Sequence, residues 1–316
     1  MNTTIDTIED DNKDGGTLEE ALQKHYGGRN LQERSLWYKD VARSYSLSRP
    51  TYPSKLMNDV FQSIKAGPVL ELGSGPGTAT QKLCETAFIT HIHCVEPNPS
   101  MVEVLRDVVV CASHQERVTI HPVSFEEYFE SVQDSITIKR GFKAIVAATS
   151  FHWISPDVAL KQTHALIDPD DGCLVLLWNK EVQLESIETY ERVLQPVFRA
   201  WAPQLDKYET PEAQFKVLHQ LQETLFSSNN NGYFDVVKTG HQWVEPQHYS
   251  IELYLQLLTT YSGFIRLTVE TRDGLLDALQ EALKAEFPDK DEPLPVRYLS
   301  AYHMAKPRKL CEEKQL

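Results

Sequence analysis

The chain is short of cysteine, short of glycine and short of positive charge, and each shortage removes a class of protein. Its five cysteines, Cys84, Cys94, Cys111, Cys173 and Cys311, are odd in number and form no C-x-x-C pair. That removes the spacing of a zinc knuckle and leaves buried thiols as the expected state. Lys and Arg number 31 against 45 Asp and Glu, a net charge of -14. No run of Lys or Arg offers a patch to a polyanion, which counts against a nucleic-acid partner. No apolar stretch reaches the roughly 20 residues that a membrane span needs. The polar, acidic start from Met1 to Glu20 lacks the basic and apolar parts of a secretory leader. A cytoplasmic protein with no membrane span is expected, and no feature fixes its oligomeric state.

What is present supports a packed core: 41% of residues are hydrophobic and 24% charged. Residues 1–17 are expected to be a disordered tail, since they hold little to bury. Residues 18–64 read as an N-terminal helical cap, interrupted at Arg49-Pro50-Thr51-Tyr52-Pro53, where two prolines forbid a continuous helix. Residues 65–180 alternate short apolar runs with helical patterns. Strands are expected at Val69–Leu72, Thr90–Glu96, Val118–Val123, Phe142–Ala148 and Cys173–Trp178. Helices are expected at Thr78–Ala87, Ser100–Val110 and Pro156–Ile167, the last closed by the turn Asp168–Gly172. Residues 181–232 read as a helical insertion able to cover the strand ends. Residues 233–316 supply strands at Tyr233–Val244 and Val296–Met304 with helices between, which completes the sheet. The fold class is α/β: a Rossmann-like, doubly wound, mostly parallel seven-stranded sheet with a helical N-terminal cap and a helical insertion.

Glycine is scarce, at 14 residues, yet Gly73, Gly75 and Gly77 fall together in Glu71-Leu72-Gly73-Ser74-Gly75-Pro76-Gly77-Thr78. A buried strand precedes this turn and a helix follows it. Such a turn lets a ligand approach the backbone. A phosphate loop would carry Lys then Ser or Thr after its last glycine, and this loop does not. A dinucleotide loop would have a third glycine where Thr78 stands, and Glu71 would be poor company for a pyrophosphate. A ligand bearing an ammonium group and no phosphate suits the carboxylate, and S-adenosylmethionine is such a ligand. Glu96 ends the next strand, where an acid can accept hydrogen bonds from both ribose hydroxyls; the competing reading is a surface acid beside a helix start.

These residues resemble the class I S-adenosylmethionine-dependent methyltransferases, well over roughly 40–180 and more loosely beyond. Glu71 to Gly77 resembles that family's E/D-x-G-x-G-x-G motif, and Val95-Glu96-Pro97-Asn98-Pro99-Ser100-Met101 its second motif. Phe151-His152-Trp153 is similar to a signature of the methyltransferase type 11 subgroup, which includes trans-aconitate methyltransferases. Ala42, Tyr45, Arg49, Pro50, Tyr52 and Pro53 match the same subgroup's A-x-x-Y-x-x-x-R-P-x-Y-P segment. The resemblance implies S-adenosyl-L-methionine as cofactor. It places Glu71, Gly73, Ser74, Gly75 and Gly77 at the methionine end, Glu96 and Pro97 at the ribose, and Met101 with Ser124 and Phe125 around the adenine. Tyr45 and Arg49 would close over the cofactor from the N-terminal segment, and Thr149, after the fourth strand, would meet it near the transferred methyl group.

Phe151, His152 and Trp153 follow the fourth strand and are expected on the substrate side. His152 is the candidate catalytic base for a hydroxyl substrate; the alternative is that His152 and Trp153 only pack the pocket. Arg49 is open to pairing with an anionic substrate. His91 and His93 share a strand face without a third ligand, so no metal is expected. The expected activity is methyl transfer to a small-molecule acceptor, by O-methylation of a carboxylate or hydroxyl. The alternatives are a protein or RNA methyltransferase on the same scaffold, and an inactive S-adenosylmethionine-binding protein.

Overall fold

A computed structural model of the chain describes residues 38–111, 114–132, 141–154, 156–226, 232–246 and 248–309. The expected tail at 1–17 and the first part of the expected cap lie outside the described residues.

The parallel strands are β1 (Gly67–Leu72), β2 (Ile89–Val95), β3 (Val118–His121), β4 (Ala144–Ala148) and β5 (Cys173–Asn179). β4 and β5 read as unbroken apolar runs because helices cover both faces of the sheet. The helices between them are α3 (Thr78–Cys84), α4 (Pro99–Cys111), α5 (Phe125–Val132) and α6 (Pro156–Leu166), preceded in the chain by α1 (Ala42–Ser48) and α2 (Ser54–Phe61). The strand order is 3-2-1-4-5. The chain winds outward through β2 and β3, then returns to β4 on the other side of β1. That reversal opens a crevice at the carboxyl ends of β1 and β4, where α/β sheets bind ligands.

The sheet is completed by two antiparallel strands, β7 (Phe234–Val244) and β8 (Val296–Pro307), with β8 lying between β5 and β7. Among the described residues the strands number eight rather than seven. The additional one is the two-residue β6 (Gln183–Leu184), which pairs with the start of β8 beyond the end of β5. A mostly parallel Rossmann-like sheet is thus the observed architecture.

Leu56, Val60, Leu83 and Leu105 of α2, α3 and α4 pack on one face of the sheet against Val69, Ile92, Val146, Val175 and Leu177. On the other face, Phe125 and Tyr128 of α5 and Leu160 of α6 meet Leu72, Ile145, Leu176 and Trp178. Fully burying one such aliphatic side chain contributes about 1.5–3 kcal/mol.

α5 was not anticipated, yet its start carries a readable signal. Ser124 Oγ accepts from Glu127 N at 3.2 Å, and Glu127 Oε2 accepts from Ser124 N at 2.8 Å. This reciprocal capping box satisfies two donors that a helix start otherwise leaves open. β3 stops at His121, two residues before the expected Val123, because Pro122 has no N–H for the ladder.

The insertion divides into two parts. Short helix α7 (Ile187–Thr189) leads into a π turn at Tyr190–Leu194, and this turn and α8 (Gln195–Trp201) pack with α10 (Ile251–Leu258), α11 (Ser262–Ile265) and α12 (Val269–Glu286) in a third cluster. α9 (Pro211–Phe226) lies instead on the α5–α6 face of the sheet, through Leu218 and Leu225. No described helix is long and apolar enough to cross a membrane. Cys84, Cys94 and Cys173 are buried free thiols.

Candidate functional site

The glycine loop leaves β1 at the reversal of strand order. Gly73 and Gly75 have φ of 64° and 55°, the left-handed region that favours glycine. A Cβ at Gly73 would lie 2.7 Å from Cβ of Ser150, whereas a Cβ at Gly75 would meet nothing within 4 Å. Gly73 therefore serves close packing against the β4 loop, and Gly75 keeps a concave surface open. Helix α3 begins directly after Gly77, so its unpaired N–H groups face the same space. Ser150 Oγ donates to the Leu72 carbonyl and laces the two loops together. Ser74 is buried at the base of the turn.

Glu96 meets this loop. Its Oε2 accepts from Gly75 N at 2.9 Å and its Oε1 from Asn98 N at 2.8 Å. Burial pushes its carboxyl up to about 6, against the two backbone bonds that favour the charged form. Asn98 Oδ1 caps α4 by accepting from Ser100 N and Met101 N. Pro97 is exposed beside Glu96. Met101 is buried against Ala42 and Val104, with Tyr38 and Tyr45 packed alongside, so the N-terminal cap closes over this end of the sheet.

Glu71 is fully buried at the end of β1. Its Oε2 accepts from Thr80 Oγ1 at 2.7 Å, while Oε1 is buried with no hydrogen-bond partner. Burial is the main cause that raises its carboxyl to about 7. A dry carboxyl with one oxygen in reserve suits a cationic group nearby.

Thr149 directly follows β4 with φ of 55°, an unusual conformation for a β-branched residue. Its Oγ1 lies 2.9 Å from Tyr52 OH and accepts from Asn179 N at 3.2 Å, which ties the Arg49–Pro53 segment to β4 and β5. Thr149→Val keeps the shape and removes both bonds. We expect a loss of about 3 kcal/mol, since Tyr52 OH and a strand N–H lose their partner. Denaturant midpoints test this; an unchanged midpoint would contradict the role.

Arg49 is half-buried rather than exposed. Its Nε and Nη2 donate to Thr260 Oγ1 and O at 2.8 and 2.9 Å, and its guanidinium sits 4.0 Å from the Tyr261 ring centre and 4.7 Å from that of Tyr45. It pins the cap to the turn that follows α10. His152 and Trp153 are half-buried at the strand ends: the His152 ring lies 5.5 Å from Trp178, and Trp153 meets Tyr38 edge-on at 6.2 Å.

Two expected site residues are placed elsewhere. Phe151 is 1% exposed in the core under the sheet, so its ring does not line the substrate side. Phe125 is likewise buried, because as the first residue of α5 it turns toward Leu72 and Tyr128. Ser124 is committed to the capping box, which leaves backbone groups of this loop and Glu126 for the adenine edge. His91 bonds Thr119 at 2.8 Å, and His93 Nδ1 lies 3.1 Å from His121 Nε2. Burial, aided by its histidine neighbours, lowers His93 to about 4. No group of three His, Cys, Asp or Glu able to hold a metal occurs among the described residues. Sequence reasoning noted Tyr52, Thr260 and Trp178 but gave none of them a definite role, because their contacts are with residues distant in the chain.

The donor set fits S-adenosylmethionine: an orphaned buried carboxylate oxygen for its ammonium, an open glycine surface for its chain, and Glu96 for its sugar. The fold and the loop pair resemble those of the class I S-adenosylmethionine-dependent methyltransferases. A solved structure assigned as a type II methyltransferase from Anaeromyxobacter dehalogenans aligns with TM-score 0.57 and 20% identity, covering 81% of this chain and 97% of that one. Over 255 residues the chain is 22% identical to a Schizosaccharomyces pombe protein described as an uncharacterized methyltransferase, 78% of this chain and 87% of that one. No protein-family profile matches the chain.

Proposed function

We propose that this protein is an S-adenosylmethionine-dependent methyltransferase that modifies an oxygen, carboxylate or hydroxyl, of a small molecule. The observation that carries the reading is the direct contact of Gly75 with Glu96, beside the reserved oxygen of Glu71. When bound, the cofactor supplies a methyl carbon already made electrophilic by a sulfonium, so the protein needs to align the acceptor and exclude water more than to activate it.

The residues divide that work. Glu71 faces the ammonium and Glu96 holds the ribose. Tyr38, Tyr45 and Trp153 close the cap over the strand ends and keep water out. His152 stands where the acceptor enters; it takes the proton of a hydroxyl acceptor and is only a wall for a carboxylate, which carries no proton at neutral pH. The overall charge of -14 and the aromatic enclosure favour a small acceptor over nucleic acid.

The test is turnover to S-adenosylhomocysteine over a panel of small acids and phenols, with bulk RNA and protein as further acceptors. We expect product with a small molecule and none with the macromolecules. Turnover confined to RNA or protein would overturn the acceptor assignment. Absence of all turnover with cofactor bound would favour a binding protein.

A further inference from the structure

We infer that Arg297, Gln214 and Trp178 form a subsite that anchors an anionic oxygen group of the acceptor; this rests on the methyl-transfer reading above. The three residues share one face of the sheet at its carboxyl end. Trp178 on β5 registers with Ala301 on β8, which registers with His241 on β7. The Phe215 ring of α9 lies 4.8 Å from that of His241, so the first turn of α9 crosses above this row. Gln214, its neighbour, is 1% exposed and turned into the sheet. Both its amide atoms are buried without a hydrogen-bond partner, as is Nε1 of Trp178, itself 6% exposed.

Arg297 lies further along β8, beyond the end of β5. It donates through Nη2 to Tyr208 OH at 3.1 Å, its guanidinium stands 5.8 Å from the Trp243 ring centre, and its buried Nε has no partner. No carboxylate among the described residues lies within 4.0 Å of it. The nearby acid, Glu209, is held by Lys180 at 2.9 Å and by Lys207 at 2.5 Å. Tyr208, which receives Arg297, and Glu209 lie a few residues before Gln214 in the chain, separated from α9 by Thr210 alone.

The unpartnered set is rich in donors: a guanidinium N–H, an indole N–H and an amide NH2, with a single carbonyl acceptor. Buried donors cost stability unless matched, and a partly buried cation with no counter-charge selects an anion. A carboxylate meets both demands. The polar stripe therefore serves the acceptor, and the native fold tolerates Gln214 on the buried side of an otherwise amphipathic helix for that reason.

The experiment uses the full chain saturated with S-adenosylhomocysteine and titrates benzoate and trans-cinnamate against their neutral amides. Binding is followed by the indole 1H–15N resonance of Trp178, assigned through Trp178→Phe. We expect at least one acid to bind about tenfold or more tightly than its amide, as a charge-assisted pair implies, and to shift that resonance. Arg297→Met should abolish the preference and leave cofactor affinity unchanged. Gln214→Leu should weaken the acid while raising the melting temperature, because it removes an unmatched buried amide. Equal affinity for acid and amide, no binding of either, or a preference that survives Arg297→Met overturns the proposal. So does a lowered melting temperature in Gln214→Leu, which would make that side chain structural. If the acids bind as expected but S-adenosylmethionine does not, the methyl-transfer reading fails and the anion subsite stands.

Discussion

Gly75→Val is expected to give a folded protein that no longer binds S-adenosylmethionine measurably. The φ of 55° at this position makes any β-branched residue strained, at a cost of about 1–2 kcal/mol. No protein atom lies within 4 Å of the new Cβ, so the core is not disturbed. The isopropyl group instead projects from the loop into the concave surface that the ligand would occupy. Glu96→Ala acts on the same surface by subtraction. It removes the carboxylate held by Gly75 N and Asn98 N, and with it the grip on the two sugar hydroxyls. Hydrogen bonds to a charged group contribute about 1.5–3 kcal/mol, so the dissociation constant should rise about tenfold to a hundredfold. Calorimetric titration with a parallel thermal melt checks both variants. Wild-type affinity in either, with the fold retained, would remove that residue from the cofactor site.

The second large effect concerns pH and centres on Glu71. Burial raises its carboxyl from the ordinary 4.5 to about 7 in the folded chain. The folded state therefore holds a proton that the unfolded chain releases. The contribution of Glu71 to stability is fully present below about pH 4.5 and is lost as pH rises through 7, a change of about 3 kcal/mol. An ammonium beside the reserved oxygen favours the charged form. Cofactor binding near neutral pH should accordingly release a proton, and affinity should climb as pH rises from 6 to 8. Titrations in two buffers of different ionisation enthalpy measure the proton count directly. Glu71→Gln should abolish the proton release, weaken the cofactor and stabilise the empty protein at pH 8. A Glu71→Gln protein that melts lower at pH 8, or a wild type that binds without proton exchange, would contradict the assignment.

The glycine turn and the acid that meets it were legible in the sequence because they are built locally. The strand, the Gly73–Gly77 turn and the start of α3 are consecutive, and Glu96 lies at the end of the adjacent strand; few folds bring such a pair together other than at a reversal of strand order. The apolar runs of β4 and β5 were equally plain, because strands buried on both faces need no alternation. The capping box of α5 was present in Ser124 and Glu127 and was passed over, so Phe125 was read as a loop residue when it is a core one. Phe151 failed for a related reason: in a tripeptide of three aromatic rings, spacing alone does not say which ring turns under the sheet.

The acceptor side was not legible, and the reason is distance along the chain. Arg49 is positioned by Thr260, Thr149 by Tyr52, and Trp178 registers with Ala301. Each is a contact between residues whose local sequences carry no sign of each other. α9 reads as an ordinary surface helix, and only its placement on the sheet makes Gln214 notable.

The most direct test of the central claim is a calorimetric titration of the full chain with S-adenosylmethionine in the presence and absence of saturating NAD+. A glycine turn facing Glu71 and Glu96 predicts saturable one-to-one binding of S-adenosylmethionine that the dinucleotide does not reduce. A folded protein that gives no binding heat, or one from which NAD+ displaces the cofactor, would contradict it.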